Sequence, residues 1–259
     1  MDQTMQQETA RFAKLGSMSH SYKLMAILLS LYMPIHAAME FDGIDDCVDM
    51  GDVLNLSTNI TISVWLKTSN STPVDTHASF VGKYNANGYI LWAHTSGDSL
   101  RWGDSDSGKV TWNGGKILLE DNQWHHVVGW REGTEGKLYF DGVEVASNTG
   151  FVDSTSSQSI EIGSYNVLGV TCNFGHYGGL IDDVRIYNSA LTQVEIESLY
   201  KSRGRLAFTD GLAAWYPLDE GVDGATALGA TALDRSGNGL TGTPSNGPIW
   251  RASTFVNYP

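Results

Sequence analysis

From residue 39 onward, apolar and polar side chains alternate in short runs broken by Gly, Asn, Asp and Ser clusters, with almost no helical periodicity. A period of two is the mark of half-buried strands, so the pattern predicts an all-β chain. The clearest run has Ile60, Ile62, Val64 and Leu66 on one face and Thr61, Ser63, Trp65 and Lys67 on the other. Further strands are expected over 79–83, 88–94, 99–103, 124–131, 137–140, 159–163 and 180–187. Asp141-Gly142, between Leu138-Tyr139-Phe140 and Val143-Glu144-Val145, predicts a hairpin, because both residues tolerate the positive φ of a two-residue turn. One helix is expected over 193–201. Thr192 and Glu195 form a capping box, Leu191 and Ile196 occupy the staple positions, and Gly204 is a natural stop. It should pack as a short lid against the sheet edge.

Before this pattern, Lys23 precedes an apolar run from Leu24 to Met33, followed by Pro34, Ile35, His36, Ala37 and Ala38. This is a signal-peptide layout, too short for a stable membrane span, which needs about 20 apolar residues. Residues 1–38 are therefore assigned to a signal peptide with an upstream extension, and residues 39–259 to the folded chain. Export bears on the two cysteines, Cys47 and Cys172. In an oxidising compartment the pair is expected to be a disulfide, whereas in cytosol the same residues would be core thiols.

Composition narrows the function. With 41% hydrophobic residues, 29 glycines and 17% charged residues among 259, the chain can build a sizeable core with many tight turns. Its formal net charge of -13 would repel a phosphate backbone, which argues against nucleic acid and anionic membranes as partners. Asp-rich turns can hold calcium, which prefers oxygen ligands.

Five strings occur together in order. They are Phe41-Asp42-Gly43-Ile44-Asp45-Asp46, Ile60-Thr61-Ile62-Ser63-Val64-Trp65, Asn122-Gln123-Trp124-His125-His126-Val127, residues 138–143, and Gly179-Leu180-Ile181-Asp182-Asp183-Val184-Arg185-Ile186-Tyr187-Asn188 before the capped helix. In this order they resemble the laminin-G-like jelly-roll family over residues 39–203. The resemblance implies a two-sheet, concanavalin A-like sandwich that binds glycans or protein surfaces, often with a structural calcium. The chain departs from the family pattern at its start. The opening segment of the family resembles Gly211-Leu212-Ala213-Ala214-Trp215-Tyr216-Pro217-Leu218-Asp219-Glu220-Gly221 and Asp234-Arg235-Ser236-Gly237-Asn238-Gly239, which here come after the helix. Either residues 206–259 fold back as permuted opening strands of one domain, or they begin a truncated second copy; the first is favoured because domain termini commonly lie close together.

If the first and last family strands are neighbours, Asp42 and an inward-facing Asp182 become candidate calcium ligands, since a buried carboxylate needs a cation or several donors. The alternative is a hydrogen-bonded structural aspartate. His125 and His126 face opposite sides of a strand and read as structural. Retaining hydrolysis needs paired carboxylates, and Glu144 with Asp141 or Glu40 with Asp42 are only approximate matches. Polyuronate lyase chemistry could draw on Tyr89, His94, Arg101 and His126 only if the fold brought them together. Glycan recognition needs less: an exposed aromatic platform and a few polar side chains. Of Trp65, Trp92, Trp102, Trp112 and Trp130, most are expected in the core. Trp102 and Trp112 are chosen as exposed because polar loops flank them, and Tyr84, Asn85 and Asn87 flank another such loop. The reading is thus a secreted or surface carbohydrate-binding module with structural calcium. Its rivals are a polysaccharide lyase or glycoside hydrolase on the same scaffold, and a structural or protein-binding surface domain.

Overall fold

The computed structural model describes residues 37–68, 77–84, 88–103, 108–153, 156–203 and 208–253. The expected signal segment lies outside these residues except for Ala37 and Ala38, which are buried at the start of a strand. In chain order the first strands are β1 (Ala37–Asp42), β2 (Cys47–Asp49), β3 (Asn59–Lys67), β4 (His77–Lys83), β5 (Tyr89–His94), β6 (Ser99–Gly103) and β7 (Lys109–Trp112). After a one-turn helix, α1 (Gly115–Leu119), come β8 (His125–Glu132), β9 (Glu135–Phe140), β10 (Val143–Thr149), β11 (Glu161–Ile162), β12 (Tyr165–Val167), β13 (Val170–Phe174) and β14 (Gly178–Tyr187). Helix α2 (Gln193–Ser202) precedes β15 (Leu212–Tyr216), β16 (Thr243–Ser245) and β17 (Ile249–Ala252).

The strands form two antiparallel sheets and one separate hairpin. The first sheet runs β10-β9-β8-β3-β14-β1-β17, with β15 also paired to β14, and the second runs β16-β2-β11-β4-β5-β6-β7. Strands β12 and β13 pair only with each other. The inner faces close on one core in which Ile60, Ile62, Val64 and Leu66 of β3 meet Phe80, Leu91, Leu100 and Trp102 of the facing sheet. This is the jelly-roll sandwich expected from the alternation. The Asp141-Gly142 turn has φ of 50° and 79°, as a two-residue hairpin between β9 and β10 requires.

The tail after α2 contributes to both sheets. β15 pairs with β14, β17 with β1, and β16 with β2. Tyr216, Leu218, Ala227, Ala232 and Trp250 are buried in the main core. β1 and β15 share one side of β14, at Gly178–Ile181 and Val184–Tyr187 respectively.

Helix α2 spans one residue more than expected, and its capping box is complete: Thr192 accepts the Glu195 amide at 3.3 Å while the Glu195 carboxylate accepts the Thr192 amide at 2.7 Å. It covers a sheet face rather than an edge. The alternation in β8 turns Val128 and Trp130 away from the main core, and Ile196 and Leu199 of α2 pack with them and with Tyr139. Trp65 is covered in the same way, stacked on Tyr200 at 5.8 Å. β3 is therefore buried on both faces, although only one of them is aliphatic. Helix α1 was not expected. Five residues are too few to show a helical period, and Gly114, with φ of 81°, enters it in the left-handed region.

Candidate functional site

The outward face of the second sheet is set by the register of β5, β6 and β7. Ile90 pairs with Gly103, which pairs with Lys109; Trp92 pairs with Arg101, which pairs with Thr111; His94 pairs with Ser99. Since Leu91, Ala93, Leu100, Trp102 and Val110 fill the core, strand alternation turns Ile90, Trp92, His94, Arg101 and Lys109 to the other side. There Ile90, Trp92, Arg101 and Lys109 line a cleft of about 100 Å³ together with His77, Tyr84 and Tyr165, and His94 stands against His77. The aromatic wall is continuous: Tyr84 and Tyr165 meet at 4.7 Å between ring centroids, and Tyr165 packs with Ile90 and Trp92 in a small cluster separate from the main core.

Trp92 is only 6% exposed, and its indole N–H meets no acceptor among the described residues. A buried donor left unsatisfied costs on the order of 1–3 kcal/mol, so it favours an oxygen-bearing ligand or a water at this place. Arg101 is pinned along its strand, Nε donating to Ser99 Oγ at 3.0 Å and Nη2 to the Ser96 carbonyl at 3.3 Å. His94 stacks edge-on against His77 at 4.3 Å, and its Nδ1 accepts the Ser96 amide at 2.8 Å, which puts the proton of the neutral ring on Nε2. Burial, and after it the charges of Arg101, His77 and Lys109, holds the His94 pKa down at about 4. Among the described residues the lining contains no carboxylate. The wall thus presents aromatic rings, an Arg101 held along its strand and Lys109.

Trp102 is not a platform. It is wholly buried, its Nε1 donating to the Trp130 carbonyl at 2.8 Å. Gly129 on the facing sheet makes room for it, since a Cβ there would lie 2.4 Å from the Trp102 ring. Trp112 shares the inward side of its strand, is partly buried and packs on Phe140 at 5.2 Å. The polar loops beside both tryptophans therefore misled the choice, because the strand parity sends their rings inward. Tyr84 does line the cleft. Asn85 and Asn87 lie outside the described residues. The residue that sequence reasoning passed over is Trp92, and its signal was parity: it stands opposite the polar Arg101, not opposite an apolar residue.

Of the lyase set, only His94 and Arg101 come together. Tyr89 points into the core, donating to the Leu54 carbonyl at 2.8 Å, and His126 is buried in the other sheet, bonded to Ser63 at 2.8 Å. The approximate carboxylate pairs are engaged elsewhere: Glu40 with Arg251 at 2.5 Å, Asp141 with His125 at 2.9 Å, and Glu144 with Lys137 at 3.8 Å.

Asp42 and Asp182 are not one site, which corrects the pairing expected from the neighbouring strands. β1 and β14 do pair, but Asp42 lies opposite Gly178 while Asp182 lies opposite Trp65 of β3, four residues and about 13 Å further along. Asp182 is buried beside Asp183, and burial followed by that neighbour raises its pKa well above the ordinary carboxylate value. Asp42 gathers instead with Asp45 and Asp46, their carboxylate oxygens within 4.8 Å of one another. Burial, offset by the Asp42 amide and reinforced by the Asp42 and Asp45 charges, lifts the Asp46 pKa to about 6. Cys47 and Cys172 form a disulfide.

A family model described as the concanavalin A-like lectin/glucanases superfamily, of laminin-G type, matches residues 42–197, more than half of the chain. The chain belongs to this superfamily. No curated protein matches it in sequence. Among solved structures, it is similar to a Bacteroides ovatus protein provisionally named as carbohydrate-binding, with 18% identity and a TM-score of 0.63 over 86% of this chain and 61% of that one. It thus spans less than two thirds of that protein. It is also similar to the native heptameric SAP-like pentraxin of Limulus polyphemus, at 13% identity and a TM-score of 0.55, covering 86% of this chain and 99% of that one. Domain 4 of an extracellular arabinanase of Geobacillus stearothermophilus, solved with arabinotriose, aligns at 25% identity and a TM-score of 0.45 over 63% of this chain and 76% of that one. Among the described residues no helix is long and apolar enough to cross a membrane.

Proposed function

We propose that the chain is a secreted or surface-displayed carbohydrate-binding module that takes a glycan in the cleft on the outer face of its second sheet. The observation that carries this reading is Trp92, which lines a cleft walled by Tyr84 and Tyr165 and whose buried indole N–H has no protein acceptor among the described residues. Aromatic faces stack on sugar rings and a fixed donor orients a hydroxyl or ring oxygen. The disulfide supports an oxidising location, and the name of the Bacteroides ovatus neighbour points to the same ligand class.

Calcium belongs to this proposal. Its ligands would be Asp42, Asp45 and Asp46, a set of hard oxygens that suits the ion, and it would serve to hold the turn after β1.

The test is a glycan array followed by calorimetry with Trp92→Phe, which keeps an aromatic ring and removes the N–H. Binding to a glycan, weakened about tenfold in the variant, is expected. Release of reducing or unsaturated ends would mean an enzyme on this scaffold, and silence in both assays a structural or protein-binding domain.

A further inference from the structure

Most cations among the described residues are paired with a carboxylate. Lys83 holds Asp52 at 2.6 Å, Arg131 holds Asp153 at 2.9 Å and Arg235 holds Asp219 at 2.8 Å. Arg101 and Lys109 are exceptions: neither forms an ion pair among the described residues, and both line the cleft. With 29 acidic against 16 basic residues in the chain, two cations without an ion pair in a wall whose described residues include no carboxylate are a local departure from the chain's character.

We propose that the cleft receives a sugar unit bearing an anionic oxygen group, a carboxylate or a sulfate ester, which Arg101 and Lys109 hold while Trp92 and the two tyrosines meet the sugar ring. This rests on the carbohydrate reading above and narrows its ligand class. Arg101 is suited to the task, because its bonds to Ser99 and Ser96 fix the guanidinium plane and leave Nη1 without a protein acceptor among the described residues. A preorganised guanidinium loses less freedom on meeting an anion than a free lysine would. His94, beside the cleft, keeps its neutral-ring proton on Nε2, and its pKa is lowered by burial first and then by the charges of Arg101, His77 and Lys109, a positive field that an anion would relieve. At physiological salt, exposed charges are screened beyond about 8 Å, so groups in contact with the ligand decide its binding.

The experiment measures binding of the full chain to polygalacturonate, heparin and neutral arabinan by calorimetry, at about 0.05 M and about 0.5 M salt. It includes Arg101→Gln, Lys109→Gln, the double variant, and Lys201→Gln as a control cation on α2. Both cleft positions face outward, and thermal melts of each variant confirm folding. An acidic polymer should bind at low salt, lose about tenfold in affinity per cleft substitution, and weaken with salt, while Lys201→Gln changes nothing. Preference for polygalacturonate identifies a carboxylate, and heparin binding that desulfation of the heparin abolishes identifies a sulfate. Binding of arabinan alone, unaffected by the two substitutions, overturns the acidic ligand and leaves the carbohydrate module standing. Acidic binding that the double variant retains also overturns it. If no polymer binds and the glycan array is silent, both readings fall.

Discussion

Removing the Cys47–Cys172 disulfide should destabilise the fold and loosen one wall of the cleft more than the rest. The bond closes a loop of 125 residues between β2 and β13, with Cα atoms 5.6 Å apart. Loop-closure entropy for that length corresponds to about 5 kcal/mol, and measured losses for native disulfides run at about 2–5 kcal/mol. For a folded body of this size that is on the order of 10 °C in Tm. Among the described residues the β12–β13 hairpin makes no ladder with either sheet, so the disulfide and the Glu161 carboxylate, which accepts the Cys172 amide at 3.0 Å, are main attachments of β13. β12 carries Tyr165 of the cleft. Cys47→Ala with Cys172→Ala, compared with the oxidised protein by guanidinium unfolding and by amide exchange, should therefore show about 3–5 kcal/mol lower stability. The denaturant slope should steepen, because the unfolded chain becomes less compact. Protection should fall first at residues 165–174, while β3 and β14 keep theirs relative to the global limit. A loss under about 1 kcal/mol, or an even fall in protection across both sheets, would refute the reasoning.

Three further outcomes follow from particular contacts. Gly129→Ala drives a Cβ into the Trp102 ring, and should cost about 2–3 kcal/mol in urea unfolding because both sheets would have to part. Trp102→Leu in the same background should recover part of it. Glu161 is neutral in the fold below a pKa raised by burial to about 7, against an ordinary 4.5, so its contribution to stability is complete below about pH 4.5 and is lost as pH rises through 7. Glu161→Gln should remove that loss, about 3 kcal/mol between pH 4.5 and 8; parallel stability curves for the two proteins would count against the assignment. Calcium at about 1 mM should raise Tm over a chelated sample and Asp45→Asn should reduce the shift, whereas equal Tm with and without chelator would remove the proposed ion.

What could be read from the chain in advance divides by how local the cause is. The capping box of Thr192 and Glu195, the Asp141-Gly142 turn and the aliphatic face of β3 each depend on residues within a few positions, and each forms as expected. The cover over Trp65 and Val128 was less accessible, because a helix lid leaves a strand with two buried faces and no simple alternation. The Asp42–Asp182 pairing failed for a related reason: neighbouring strands were inferred, but register is a separate quantity, and four residues of offset separate two carboxylates completely.

The cleft turns on the same distinction between parity and position. Trp92 and Trp102 are both strand tryptophans near polar loops, and their immediate surroundings do not say which is inside. Their cross-strand partners do. Trp102 stands between Leu91 and Val110 and meets Gly129 of the opposite sheet, where only a hydrogen leaves room for an indole. Trp92 stands beside Arg101, whose charge could not enter that core without a partner, so the pair must face outward together. The core and the cleft are therefore two consequences of one register. Any change that slipped β5 against β6 by one residue would bury Arg101 and expose Trp102, losing the sandwich and the binding wall at once.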